Sequence, residues 1–184
     1  MRRLRAVGLA GLLLLPLPSG CAANGDSTRV ATAPRCSSLE RLGLIAQSVP
    51  SSSYVPCITE LPTGWTSNRL TVQDGSTRFD LLSDRAQGHD VRVDFRRHCH
   101  PSAAAPIPPR TAGGRSYLAL RSIDPHYTGT MYDVFPGGCV SYHLDFQRGP
   151  HIALMAQLQA AVGFISRAEL NRQLRRHLGV ELSP

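Results

Sequence analysis

The 184-residue chain contains no lysine, so all 20 of its basic Lys and Arg positions are arginine. A guanidinium does not deprotonate in proteins. Chemistry that needs a lysine amine is therefore excluded: a Schiff base, a Ser-x-x-Lys acyl enzyme, and the lysine of a phosphate-binding P-loop. Gly-x-Ser-x-Gly, His-Glu-x-x-His and Cys-x-x-Cys are missing as well, which removes the familiar signatures of hydrolases, zincins and redox centres. Aromatic residues make up 6% of the chain, with Trp65 the single tryptophan. The arginines are interleaved with acids such as Asp74, Asp80, Asp84 and Asp90 and do not cluster with aromatics, so nucleic acid is not an expected partner.

What is present begins at the N-terminus. Arg2, Arg3 and Arg5 form a positive start, and Ala6 to Pro18 form an apolar stretch too short to span a bilayer but suited to a removable export signal. The run Leu17-Pro18-Ser19-Gly20-Cys21 resembles the lipobox of bacterial lipoproteins, in which the cysteine thiol takes diacylglycerol before cleavage on its N-terminal side. The usual leucine three residues before the cysteine is replaced by Pro18, with Leu17 one step earlier. The competing reading is an ordinary secretory signal with a chance cysteine, and both readings export the protein. Each buried methylene contributes roughly 0.8 kcal/mol, so two or more acyl chains on Cys21 would anchor a domain stably. The expected organisation is a signal over residues 1–20, a lipidated N-terminus and polar tether over 21–34, and one exported domain over 35–184. Loss of the three signal arginines reduces the formal charge of +7 to +4.

With Cys21 set aside, Cys36, Cys57, Cys99 and Cys139 remain, an even count that in an exported protein reads as two disulfides. Three pairings exist. Cys36 with Cys57 and Cys99 with Cys139 is favoured, because the first pair brackets one local unit. That unit opens at Ser37 and Glu40, spaced as a capping box, and continues with Leu39, Leu42, Ile45 and Ala46 as a short helix over about 38–47. Pro50 and the serine run at 51–53 end it as a loop.

Alternation then replaces the helical period. Leu70 and Val72, Phe79 and Leu81, and Val91, Val93 and Phe95 recur at every second position, separated by turns at 74–76 and 87–90, as in an antiparallel meander. Trp65 is expected to anchor the core at its entrance. Residues 100–115, with Pro101, Pro106, Pro108 and Pro109, read as a long irregular surface loop. Strands resume at 116–121 and 130–135, and Pro136-Gly137-Gly138 turns the second into a returning strand over 139–146. On that strand Val140, Tyr142, Leu144 and Phe146 share one face, and Cys139, Ser141, His143 and Asp145 the other. Two helices close the chain. The first begins at Pro150 and stops at Gly163; the second carries a Ser166–Glu169 capping box, a buried stripe of Leu170, Leu174 and Leu178, and a Gly179 cap. The expected fold is α+β: an antiparallel sheet of about five strands with a short N-terminal helix and two C-terminal helices, stabilised by disulfides.

Two sets of residues invite a catalytic or metal reading. Ser141 and His143 are two apart on a strand, roughly 6.5 Å, which places them beyond direct hydrogen-bond reach. His98 and His100 flank Cys99 and would chelate a metal only with further ligands, His89 being one candidate. The plainer reading, a solvated strand face and two exposed histidines beside a disulfide cysteine, is preferred. No cofactor is implied and no catalytic residue or metal ligand is assigned.

The segment Tyr127 to Phe146, with its Phe135-Pro-Gly-Gly-Cys-Val140 core, and the segment Val162 to Leu170 together resemble a family of uncharacterised actinobacterial membrane-anchored lipoproteins, over most of the exported domain. The resemblance implies a location on the outer face of the cytoplasmic membrane, a lipid anchor at Cys21 and paired cysteines; it nominates no activity. The function expected is a non-enzymatic envelope protein that binds or scaffolds another envelope protein or a small ligand. A small exported hydrolase using Ser141 and His143, or a metal-binding protein using His98 and His100, is the alternative.

Overall fold

The computed structural model describes residues 28–30, 34–86 and 90–183. The signal, Cys21, most of the tether and His89 lie outside the described residues.

Ten strands and three helices follow in chain order: β1 (Thr28–Val30), α1 (Leu39–Ser48), β2 (Tyr54–Ile58), β3 (Trp65–Gln73), β4 (Ser76–Ser83), β5 (Asp90–Arg96), β6 (Ala105–Ile107), β7 (Arg115–Ser122), β8 (Tyr127–Phe135), β9 (Gly138–Phe146), α2 (His151–Ala161), β10 (Val162–Ser166) and α3 (Arg167–Leu178). Eight strands form one antiparallel sheet in the order β1-β3-β4-β5-β9-β8-β7-β6, and β10 pairs with β2 in a separate two-stranded sheet. The α+β class and the three helices agree with the sequence reading, whereas the sheet is larger than about five strands. The additional strands are short or interrupted: β6 is Ala-Pro-Ile, and β10 carries Gly163 where a helix stop is expected. Neither presents enough alternation to announce itself.

The alternation that does exist places one apolar face on the large sheet. Phe79 and Leu81, Val91, Val93 and Phe95, Met131, and Val140, Tyr142, Leu144 and Phe146 are all buried there in one cluster. Helix α1 contributes Leu42, Ile45 and Ala46, α2 contributes Leu154 and Leu158, and α3 contributes Leu170 and Leu174 to the same core. Each such side chain contributes about 1.5–3 kcal/mol by leaving water. Trp65 is 5% exposed and donates its indole N–H to Gln157 at 2.9 Å, which ties the start of β3 to α2. The helices cover one face of the sheet, and the other faces solvent.

Caps follow the sequence in part. Ser166 accepts from the Glu169 N–H, and Gly179 takes the left-handed conformation at φ 67° that ends α3. At α1 the N-cap is Ser38, and its hydroxyl makes no capping bond, so the expected Ser37–Glu40 box is not formed. Pro150 is the N-cap of α2, one position before the helix. Leu178 is 41% exposed, because the last turn of α3 forms one wall of an open groove with Leu44 and Val180.

Two disulfides join Cys36 to Cys57 and Cys99 to Cys139, over sequence separations of 21 and 40. The first ties the lead-in to α1 onto β2; the second ties the chain after β5 onto the start of β9. The serine run is a structural loop: Ser51 donates to the Gly137 carbonyl at 2.7 Å and Ser52 to the Tyr54 carbonyl at 2.6 Å. Gly137, at φ 72°, allows this approach, since a Cβ there would lie 1.7 Å from the Ser51 carbonyl oxygen.

Candidate functional site

The side of the large sheet away from the helices carries the polar residues of the alternating strands. Register sets them in rows. Thr71 of β3, Arg78 of β4, Asp94 of β5, Ser141 of β9, Tyr132 of β8 and Tyr117 of β7 follow one another across five strand pairings. The adjacent row on one side runs from Asp80 through Arg92 and His143 to Thr130, and on the other from Ser76 through Arg96 to Cys139.

Asp94 is the centre of this face. Its side chain is 4% exposed, yet it meets three basic groups: Arg78 Nε at 2.7 Å, His143 Nε2 at 3.3 Å and an Arg96 terminal nitrogen at 3.5 Å. Burial alone would push the carboxyl pKa up. Hydrogen bonds to His143 and Arg78, with the charges of Arg78 and Arg96, outweigh that effect and hold it at about 2. The carboxylate is thus ionised throughout the physiological range, while Arg78 and Arg96 remain about half exposed and the pair of guanidinium groups exceeds it in charge.

Ser141 and His143 come closer than strand geometry suggests: Ser141 Oγ lies 3.5 Å from His143 Nε2. The 6.5 Å spacing describes backbone positions, and the side chains lean toward each other along the strand, so the expectation that they lie out of reach is corrected. The contact still does not build a catalytic relay. A serine triad needs the carboxylate on one imidazole nitrogen and the hydroxyl on the other, so that the ring can pass a proton. Here Asp94 and Ser141 both approach Nε2, and they compete for one nitrogen.

His98 and His100 are exposed on either side of Cys99, whose sulfur is committed to Cys139. Among the described residues, no group of three or more His, Cys, Asp or Glu side chains is placed to hold a metal ion.

A second polar cluster sits on the helix-covered side, and its key residue was not singled out by sequence. Arg110 donates to Asp133 at 2.9 Å, to the Tyr142 hydroxyl at 3.1 Å, to the Gln159 carbonyl at 2.7 Å and to the Val162 carbonyl. Ser116 holds the other Asp133 oxygen at 2.6 Å, and the guanidinium lies over the Phe164 ring at 5.3 Å. Burial pushes the Tyr142 hydroxyl pKa well up, with Asp133 adding to the effect. With Asp133 only 1% exposed and every oxygen engaged, this cluster is a staple. It fastens residues 100–115 to β8, β9 and the α2–β10 junction, so the stretch expected as an irregular surface loop is tied into the fold and carries β6.

Comparison with known proteins gives no match of any kind: no family model matches the chain, nor does a curated protein or a solved structure.

Proposed function

We propose that this chain is a lipid-anchored protein of the cell envelope, held at Cys21 on the outer face of the cytoplasmic membrane, whose domain binds another envelope component and performs no catalysis. The observation that carries the binding role is the open sheet face, where Asp94 organises Arg78, Arg96 and His143 beside a serine that shares a single imidazole nitrogen with the carboxylate. Such a face holds charged donors in fixed positions but lacks a nucleophile and base in working order. The anchor and location rest on the Leu17 to Cys21 run and on the resemblance to actinobacterial lipoproteins. Among the described residues no helix is long and apolar enough to cross a membrane.

One experiment tests both parts. The full chain and its Cys21→Ala variant are expressed in an actinobacterial host, fractionated, and exposed to a fluorophosphonate probe that labels activated serines. Release of the variant from membranes, with no labelling of either form, is the expected result. Retention of Cys21→Ala in the membrane fraction would refute lipid attachment as the sole tether, and labelling at Ser141 would replace the binding role with the hydrolase alternative.

A further inference from the structure

We propose that a cleft on the open sheet face, lined by Thr71, Gln73, Ser76, Arg78 and Arg96 around Asp94, is a binding site for an oxyanion of the phosphate class. This ligand chemistry rests on the reading of the domain as a binding module and gives that reading a specific content.

The cleft has a volume of about 240 Å³. Pockets for whole organic ligands run to roughly 300–1,000 Å³, so this one suits a single charged group, presented alone or at the tip of a larger molecule. Three adjacent strands build it. Arg78 stands opposite Asp94 and Ser76 opposite Arg96 across β4 and β5, while Thr71 stands opposite Arg78 and Gln73 opposite Ser76 across β3 and β4. Sheet register therefore fixes all six positions, with no mobile loop required to assemble them.

Charge selects the sign of the ligand. Two guanidinium groups face one carboxylate in the lining, which leaves a surplus of positive charge. Asp94 acts as an orienting group more than a neutralising one. It engages Arg78 through Nε, so neither terminal nitrogen of Arg78 has an acceptor among the described residues. A guanidinium fixed at Nε presents its outer nitrogens as a planar fork, which matches phosphate oxygens bidentately. Thr71 and Ser76 add hydroxyl donors at the rim. The outer nitrogens of Arg78, the guanidinium donors of Arg96 not turned to Asp94, and the two hydroxyls suit the tetrahedrally spread oxygens of a phosphate group, in the free ion or in a diester.

The test uses the full chain in a mild nonionic detergent, titrated calorimetrically at constant ionic strength. The probes are inorganic phosphate and glycerophosphoglycerol, the soluble diester of a phospholipid headgroup. Saturable binding is expected for at least one. Arg78→Gln and Arg96→Gln should each weaken it roughly tenfold or more, the loss typical of a charge-assisted hydrogen bond, with Arg176→Gln, in the last turn of α3 and outside the cleft lining, leaving it unchanged. Tighter binding of the diester identifies a lipid headgroup as the source, and tighter binding of inorganic phosphate identifies the free ion; both support the site. Absence of saturable binding by either probe up to about 10 mM, a concentration that would detect even millimolar affinity, overturns it. So does equal weakening by Arg176→Gln. Ser76→Ala and Thr71→Ala, which leave the ion pairs intact, provide a second reading if an arginine variant fails to fold. Loss of the phosphate site would leave the Cys21→Ala and serine-labelling results untouched, so the two failures are distinguishable.

Discussion

Asp94 concentrates the electrostatics of the open face into one titratable residue, and its stability contribution has a definite pH window. The folded-state pKa of about 2 lies below the ordinary value of 3.8. A depressed carboxyl stabilises the fold above its unfolded pKa, and that contribution is lost as pH falls from about 4 toward 2. A shift of this size corresponds to at most about 2–3 kcal/mol, and solvent screening of the half-exposed arginines lowers the expectation to about 1–2 kcal/mol. Asp94→Asn should therefore destabilise the protein by about that amount at neutral pH, where urea unfolding measures it. Near pH 2 the variant and the parent should converge. An undiminished gap at low pH would mean that asparagine fails for steric reasons unconnected with charge.

At the scale of elements, the strands with clear alternation are the ones legible in sequence. β4 and β5 show it at Phe79 and Leu81 and at Val91, Val93 and Phe95, and β9 shows it in the residue types from Val140 to Phe146. The Ser166–Glu169 cap of α3 was equally legible, because a helix end is decided by residues three apart. β10 was not, since its pairing with β2, Val162 against Ile58 and Ser166 against Tyr54, joins segments more than a hundred residues apart. Arg110 was hidden for the same reason: its acceptors Asp133, Gln159 and Val162 are distant in sequence, and a proline-rich neighbourhood reads locally as loop. The open-face cleft lies between these cases. Its strands were visible, but the apposition of Arg78, Asp94 and Arg96 needs register, which no single strand reveals.

Arg110→Met removes the partner of a carboxylate that is 1% exposed, and breaking a buried pair from one side costs about 3–5 kcal/mol. The double variant Arg110→Met with Asp133→Asn removes the uncompensated charge and should recover a substantial part of that loss, as read from urea midpoints. If the double variant is instead as destabilised as the sum of its parts, the pair is not coupled. Ser166→Ala, by contrast, removes only a cap and should cost about 1 kcal/mol.

On the scale of the whole molecule, the two disulfides divide the work of holding two layers and an open face together. Cys36–Cys57 fastens the chain ahead of α1 to the small sheet, and Cys99–Cys139 closes the longer excursion that carries β5 to β9. Chain-entropy reasoning gives roughly 3 kcal/mol for a loop of 21 residues and roughly 4 kcal/mol for one of 40. For a domain of this size each kcal/mol moves the melting temperature by about 2–4 °C. Replacing Cys99 and Cys139 by serine together should thus lower Tm by about 8–16 °C, and replacing Cys36 and Cys57 by about 6–12 °C. Calorimetry on the full chain measures both. Cys139 stands opposite Arg96 in the β5–β9 register, so the first pair of substitutions also loosens the strand end that carries one wall of the phosphate cleft. Below its melting transition, that variant should bind phosphate more weakly than the parent, while the Cys36 and Cys57 variant, whose disulfide lies on the small sheet, should bind it unchanged. Equal phosphate affinity in all three proteins would show that the cleft is set by β3, β4 and β5 alone.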